Sequence, residues 1–324
     1  MQRPPLSRSI DRDGILLRRD AVANGIDDKA LARLVDENVL IKMRQGLYCQ
    51  RDIFLAASPA GRHLLLARAV MRLYGDHVVL SHASACLAQG GPDHDLDLTS
   101  VHLTHLVGGG RRGSRIVHHN GICLVGDLRR QDGYWITVPA RSVADTVCTD
   151  GAVAGLVQAN HFLHRGLMSI EELTTMFERA VNWPGSLGHH PVLHLADARI
   201  ESVGETLSDH LFFAQGLPRP ELQYAIYDPE RDVTYRVDFA WPDKRVFVEF
   251  DGDEKYHRFR KPHETIEQMV LREKRREDRI RELTGFIVIR ISWRDLSFPL
   301  HTANRIREAL ARGGVMPVGR VAGI

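Results

Sequence analysis

The sequence predicts a multidomain α+β protein, and three observations carry that expectation. At 324 residues the chain is long enough for two or three domains. Helical and extended hydrophobic patterns follow one another along its length. A breaker-rich run, from Asn182 through Pro184, Gly185 and Gly188 to Pro191, interrupts them near the middle of the chain. We expect a first domain over 1–52, a second over 53–195 and a third over 196–324. Hydrophobic residues make up 44% and charged residues 26%, an ordinary globular composition. A net charge of +2 does not by itself argue for nucleic acid. Its distribution does more: Arg111, Arg112, Arg115, Arg129 and Arg130 face only Asp127 between residues 102 and 130. Four dispersed cysteines, Cys49, Cys86, Cys123 and Cys148, form no zinc-type pair and fit a reducing, cytoplasmic setting. No apolar run reaches membrane-spanning length, and Arg3, Arg8, Asp11, Arg12 and Asp13 break any leader pattern.

Residues 3–13 read as a helix ended by Gly14. A short helix follows from Arg18, stopped by Asn24-Gly25. Asp27 or Asp28 suits the N-cap of a third, over Lys29–Glu37, with Leu31, Leu34 and Val35 inward. Asn38 can take the left-handed conformation that ends it. Val39–Arg44 and Gly46–Cys49 then form a hairpin turned at Gln45-Gly46. Helices followed by a hairpin are the pattern of a winged helix-turn-helix. The helix from Asp28 would enter the major groove, and the wing would approach phosphates. Expected DNA contacts are Arg18, Arg19, Lys29, Arg33, Lys42, Arg44 and Gln45. The same pattern also suits a helical cap or a protein-docking module.

The middle segment has the order of an α/β domain. A helix spans about 60–74, a short extended piece His77–Leu80, and a helix His82–Gln89. Val101–Thr104, Ile116–His119 and Tyr134–Val138 read as strands, and helices follow from Pro139, about 151 and about 169. Ser81-His82 with Asp145 could suggest a hydrolase. No nucleophile elbow surrounds Ser81, which reads as a helix N-cap. His118 and His119 are adjacent on a strand and point to opposite faces, so they do not chelate one ion. We expect them, and His189-His190, to be hydrogen-bonded or solvated. The loop Gly108–Arg115 lacks the Lys-Ser/Thr pair of a phosphate-binding loop. Its Arg111, Arg112 and Arg115 either touch the DNA backbone or are simply solvated.

Residues 5–200 resemble the AbiEi-like antitoxins of type IV toxin–antitoxin systems. The likeness rests on Gly14–Ala21, Gly25-Ile26, Leu31–Val35, Leu40-Ile41, Arg44–Tyr48, Ser81–Ala85, Val101–Thr104 and Thr137–Asp145. It implies a DNA-binding regulator and a cognate toxin as partner. The chain has Asn38 where that family usually has glycine, a tolerable exchange.

Two strands organise the C-terminal segment, Tyr235–Trp241 and Val246–Asp251, joined at Pro242-Asp243-Lys244. Period two puts Phe247, Glu249 and Asp251 on one face. Carboxylates in an apolar strand require compensation, and a divalent metal is the simplest source. The bland alternative pairs Glu249 with Arg236. An Asp on one strand and acid-x-acid on the next is the core pattern of PD-(D/E)XK nucleases. Asp238, Glu249 and Asp251 match it, Glu205 matches the preceding helical acid, and His257 follows six residues after Asp251. With Gly285–Trp293, residues 200–297 resemble Vsr-like endonucleases, implying a restriction-endonuclease-like α/β/α fold. The usual Lys is absent; Asp251 stands in its place. The resemblance implies Mg²⁺ or Mn²⁺ on Asp238, Glu249 and Asp251, with Glu205 and His257 assisting. A long charged helix, Thr265–Leu283, lies between.

These readings combine as a DNA-binding antitoxin-type regulator carrying a metal-dependent endonuclease-like domain. The alternatives are an active Mg²⁺-dependent endonuclease delivered by its winged helix, and an interaction module with a dead nuclease fold.

Overall fold

Asp11 shapes the turn that leads into the first strand. Its Oδ1 accepts from the amides of Asp13 at 3.0 Å and Ile15 at 2.8 Å, closing a tight turn. Among the described residues, the helix expected over 3–13 is only a 3₁₀ turn at Leu6–Arg8. The structure, a computed structural model, describes residues 6–109, 113–252 and 265–313. It divides into two compact units, Met1–Ala196 and Asp197–Ile324.

The first unit opens with β1 (Ile15–Leu17), α1 (Arg18–Ala23), α2 (Asp28–Asp36), β2 (Leu40–Arg44), β3 (Leu47–Gln50) and α3 (Arg51–Ala56). Asp27 caps α2, accepting from the Ala30 amide at 2.8 Å, and Asn38 leaves it at a φ of 60°. Gly46 turns the hairpin at a φ of 77°, a conformation that glycine adopts without cost. The three strands pair in the order β1-β3-β2, so Ile15–Leu17 is a strand rather than a connector.

Next come α4 (Pro59–Tyr74), β4 (Val78–Leu80), α5 (His82–Ala88), β5 (Val101–His105), β6 (Ile116–Asn120), β7 (Leu128–Gln131) and β8 (Tyr134–Thr137). Then α6 (Pro139–Asp150), α7 (Ala152–His164), α8 (Ile170–Arg179) and α9 (His189–Leu195) complete the unit. Five strands form a sheet ordered β6-β5-β4-β8-β7. Residues 1–52 and 53–195 share one core: Ile15, Leu17, Leu47 and Cys49 pack with Leu65, Leu66, Val70 and Leu80. The breaker-rich run contains helix α9 instead of a plain connector. His189 stacks on Phe177, ring centroids 4.1 Å apart, so burial outweighs the local breakers.

The second unit contains α10 (Val203–Ala214), β9 (Glu221–Asp228), β10 (Val233–Trp241), β11 (Val246–Phe250), α11 (Ile266–Thr284), β12 (Ile287–Ile291), α12 (Trp293–Leu296) and α13 (Pro299–Gly313). The sheet runs β12-β11-β10-β9, with β11 and β12 parallel and the other pairs antiparallel. Alternate residues of β11 enter different cores. Val246, Val248 and Phe250 join Phe212 and Ile306; Phe247 joins Val237 and Ile280. The first turn of α10 lies directly on the Phe250 ring. A Cβ on Gly204 would meet that ring at 1.9 Å. Strand β9 ends at fully buried Asp228, which is held by Arg279 of α11 through bonds of 2.7 and 2.8 Å.

Two outcomes follow from this packing. Gly204→Ala should cost about 1–3 kcal/mol by overpacking, read from denaturant unfolding through tryptophan fluorescence; unchanged stability contradicts the contact. The Arg279 guanidinium holds the Asp228 carboxyl down to about 2. The pair's stabilisation is then present above the ordinary carboxylate range and lost as pH falls from about 4 toward 2. In Asp228→Asn that acid-dependent loss should shrink, as measured by thermal melts across that window.

Candidate functional site

The β2–β3 hairpin forms two of the three strands of the N-terminal sheet, and α2 packs against it through Leu31. Lys29 and Arg33 on α2, and Lys42 and Gln45 on the hairpin, are exposed. Arg44 is half-buried. Arg18 and Arg19 are differently employed. Arg18 makes a two-pronged bond to Asp28 at 2.6 Å on each arm. Arg19 donates to the carbonyls of Arg72 at 2.7 Å and Leu73 at 3.4 Å, closing the C-terminal end of α4. Arg115 donates to the Met43 carbonyl at 3.2 Å, tying the loop before β6 to strand β2. Arg111 and Arg112 lie outside the described residues.

In the second unit the register aligns Phe239 with Val248, which brings Asp238 and Glu249 side by side across the two strands. Asp238 accepts from the Phe250 amide at 2.8 Å. Glu249 is buried, and its Oε1 accepts from Arg276 of α11 at 2.9 Å. Arg276 also donates to the Arg236 carbonyl. Burial alone would lower the Arg276 pKa, but the Glu249, Glu273 and Asp238 carboxylates raise it. The compensating cation beside Glu249 is thus Arg276 and not Arg236. Asp251 sits 3.5 Å from Arg290 of β12, whose other arm reaches Glu277 at 2.5 Å. Glu205 accepts from the Ser202 hydroxyl at 2.7 Å and the Glu201 amide at 3.0 Å, serving the start of its own helix. Gln223 approaches it at 3.4 Å. His257 lies outside the described residues. A cleft of about 420 Å³ beside Arg276 is lined by Arg231, Tyr235, Arg272 and Arg275.

The sequence missed a second cluster. His118 and His119 do point to opposite faces, but each finds a partner on β5. His118 Nδ1 lies 2.8 Å from His105 Nε2, and His119 Nε2 lies 3.1 Å from His102 Nδ1. His82, the first residue of α5, stacks on His119 with centroids 3.6 Å apart. Burial holds all three of His82, His102 and His119 below the ordinary imidazole value, His119 at about 4, so they are neutral at pH 7. Ser81 stands at the N-cap position of α5, yet its hydroxyl serves other groups. It bonds His82 Nδ1 at 2.9 Å and accepts from Thr104 at 2.9 Å. Three residues from three separate elements leave no local spacing to read.

The family model described as "Transcriptional regulator, AbiEi antitoxin" matches residues 6–49. That stretch is the segment carrying α2 and the hairpin. Two curated proteins of Mycobacterium tuberculosis are also similar: uncharacterized protein MT2308 of strain CDC 1551 / Oshkosh and uncharacterized protein Rv2248 of strain ATCC 25618 / H37Rv. Each is 29% identical over 174 residues, which is 53% of this chain and 64% of the relative. The chain therefore spans less than two thirds of the length of these relatives. Among the described residues no helix is long and apolar enough to cross a membrane.

Arg276→Ala should leave Glu249 buried without its cation. We expect a loss of about 2 kcal/mol in denaturant unfolding, largely recovered when Glu249→Gln is added. Additive losses from the two substitutions would show that the pair is not coupled.

Proposed function

We propose that the chain is a DNA-binding transcriptional regulator of antitoxin type, with α2 and the β2–β3 hairpin as its duplex-reading surface. The observation that carries this reading is the coincidence of two things on residues 6–49. The antitoxin-regulator family model matches there, and Lys29, Arg33, Lys42 and Gln45 stand exposed there on a helix and hairpin. An α-helix fits the major groove, and cations on a hairpin beside it neutralise phosphates. Arg18, Arg19 and Arg115 hold the surface in place, as their intramolecular bonds suggest, and leave the contacts to the others. A cognate toxin is the protein partner that this reading brings with it.

A second reading, phosphodiester cleavage by the C-terminal unit, is favoured by the adjacency of Asp238 and Glu249 beside an arginine-lined cleft. Two carboxylates suit Mg²⁺ or Mn²⁺, which when bound would acidify a water and neutralise charge on phosphate. Asp238 and Glu249 would hold the ion, with Asp251 and Glu205 at the margin. Arg276 would have to release Glu249, and could then hold the DNA backbone.

The first reading is tested by selecting duplexes from genomic fragments with the full-length protein and measuring affinity against salt. Lys29→Ala, Arg33→Ala and Lys42→Ala together should weaken binding and flatten the salt slope by about 2–3, while Glu249→Ala leaves both unchanged. An unaltered slope in the triple variant contradicts the assigned surface. For the second, supercoiled plasmid is incubated with Mg²⁺ or Mn²⁺. Nicking that vanishes in Asp238→Ala and Glu249→Ala supports it, and intact plasmid throughout removes it.

A further inference from the structure

Among the described residues, one group of histidine, cysteine or acidic side chains brings three ligand atoms within 4.8 Å of one another: His82, His102 and His119. We propose that these three imidazoles form a binding site for a first-row transition-metal dication, with Zn²⁺ as the ion their chemistry best suits. His82 and His102 are each 6% exposed, and His119 is half-buried on the edge strand β6. A neutral imidazole in a site closed to bulk water is the commonest ligand for such ions, whereas Mg²⁺ and Ca²⁺ demand oxygen.

The orientation of the rings assigns the ligand atoms. His102 Nδ1 and His119 Nε2 face each other at 3.1 Å. With metal–nitrogen bonds of about 2.0–2.1 Å, two tetrahedral ligands stand roughly 3.3 Å apart, so this pair is already at bridging distance. His82 turns its Nδ1 toward Ser81 Oγ at 2.9 Å and Asp145 Oδ2 at 3.8 Å, which leaves Nε2 for the ion. The stacked His82 and His119 rings must splay slightly to converge.

One buried polar atom supports the assignment. Asp145 is 3% exposed, and its Oδ2 has no hydrogen-bond partner among the described residues; its Oδ1 is held by Arg141 at 2.9 Å. A group of this kind is costly unless something completes it. A hydrogen-bonded group behind a ligating imidazole fixes its tautomer; Ser81 Oγ holds that place for His82 at 2.9 Å, and the Asp145 carboxylate adds charge at 3.8 Å. The backbone of His82 lies at a φ of 55°, a conformation rare for a residue with a Cβ. The ion would join α5, β5 and β6. The Arg115 bond to the Met43 carbonyl lies just ahead of β6.

The test uses full-length protein stripped with chelator and dialysed against Zn²⁺, with metal counted by elemental analysis and Co²⁺ as a spectroscopic substitute. We expect one Zn²⁺ per chain, a higher melting temperature when it is bound, and visible absorption from Co²⁺ in a nitrogen-rich site. His119→Gln and His102→Gln should each weaken binding at least tenfold. His118→Gln, on the opposite face of the same strand, should leave it unchanged. Metal-free melts of every variant report folding separately. Wild-type protein retaining no Zn²⁺ overturns the proposal. So does equal retention by a His102→Gln/His119→Gln variant, which would mean adventitious binding by other histidines.

Discussion

The packing of α4 against two sheets fixes the geometry of the first unit. Leu65, Leu66, Val70 and Met71 of this helix share a core with Ile15, Leu17 and Leu47 and with Val78, Leu80 and Leu103. Each buried side chain of this size contributes about 1.5–3 kcal/mol, so the two sheets are joined through the helix and not merely tethered. Polar contacts reinforce the join at the C-terminal end of α4. Arg72 binds both Asp11 and Asp20, and Arg19 returns to the carbonyls of α4. The α2 helix and its hairpin are thus mounted on a wide, rigid base. On the function proposed above, such a base lets this surface meet DNA with little ordering cost.

Three of the buried acids are met by arginine. Asp127 lies between Arg141 and Arg179, Asp228 against Arg279, and Glu249 against Arg276. The guanidinium suits this work because it stays charged and donates in a planar fork. Removing one partner from such a pair is more costly than never having had the pair. The histidine cluster differs. Its rings are neutral, and they sit beside an Asp145 oxygen that Arg141 does not reach. The two clusters therefore suit different chemistry: one is satisfied by side chains, and the other offers nitrogen donors.

Where the structure follows the sequence, local rules were sufficient. Period two in β11 separated Val246, Val248 and Phe250 from Phe247, and Asp27 and Asn38 bounded α2. Where it departs, the deciding group lies outside the window that pattern can see. Asp11 turned an expected helix because its side chain captured two nearby amides. Arg276 reaches Glu249 from 27 residues away, so nothing near the strand announced it. Strand β9 was missed because its burial alternates only in part, and β7 because Arg129 and Arg130 mask it. His118 and His119 point to opposite faces as alternation requires, but only the tertiary pairing with β5 brings His105 and His102 to meet them.

The central claim is that duplex DNA meets this protein on α2 and the β2–β3 hairpin. Amide hydrogen exchange of the full-length chain, with and without a tightly selected duplex, tests it most directly. Added protection concentrated over residues 28–50, with the acidic strands of the second unit unchanged, is the predicted result. Protection confined to the second unit, or spread evenly over the chain, would contradict it.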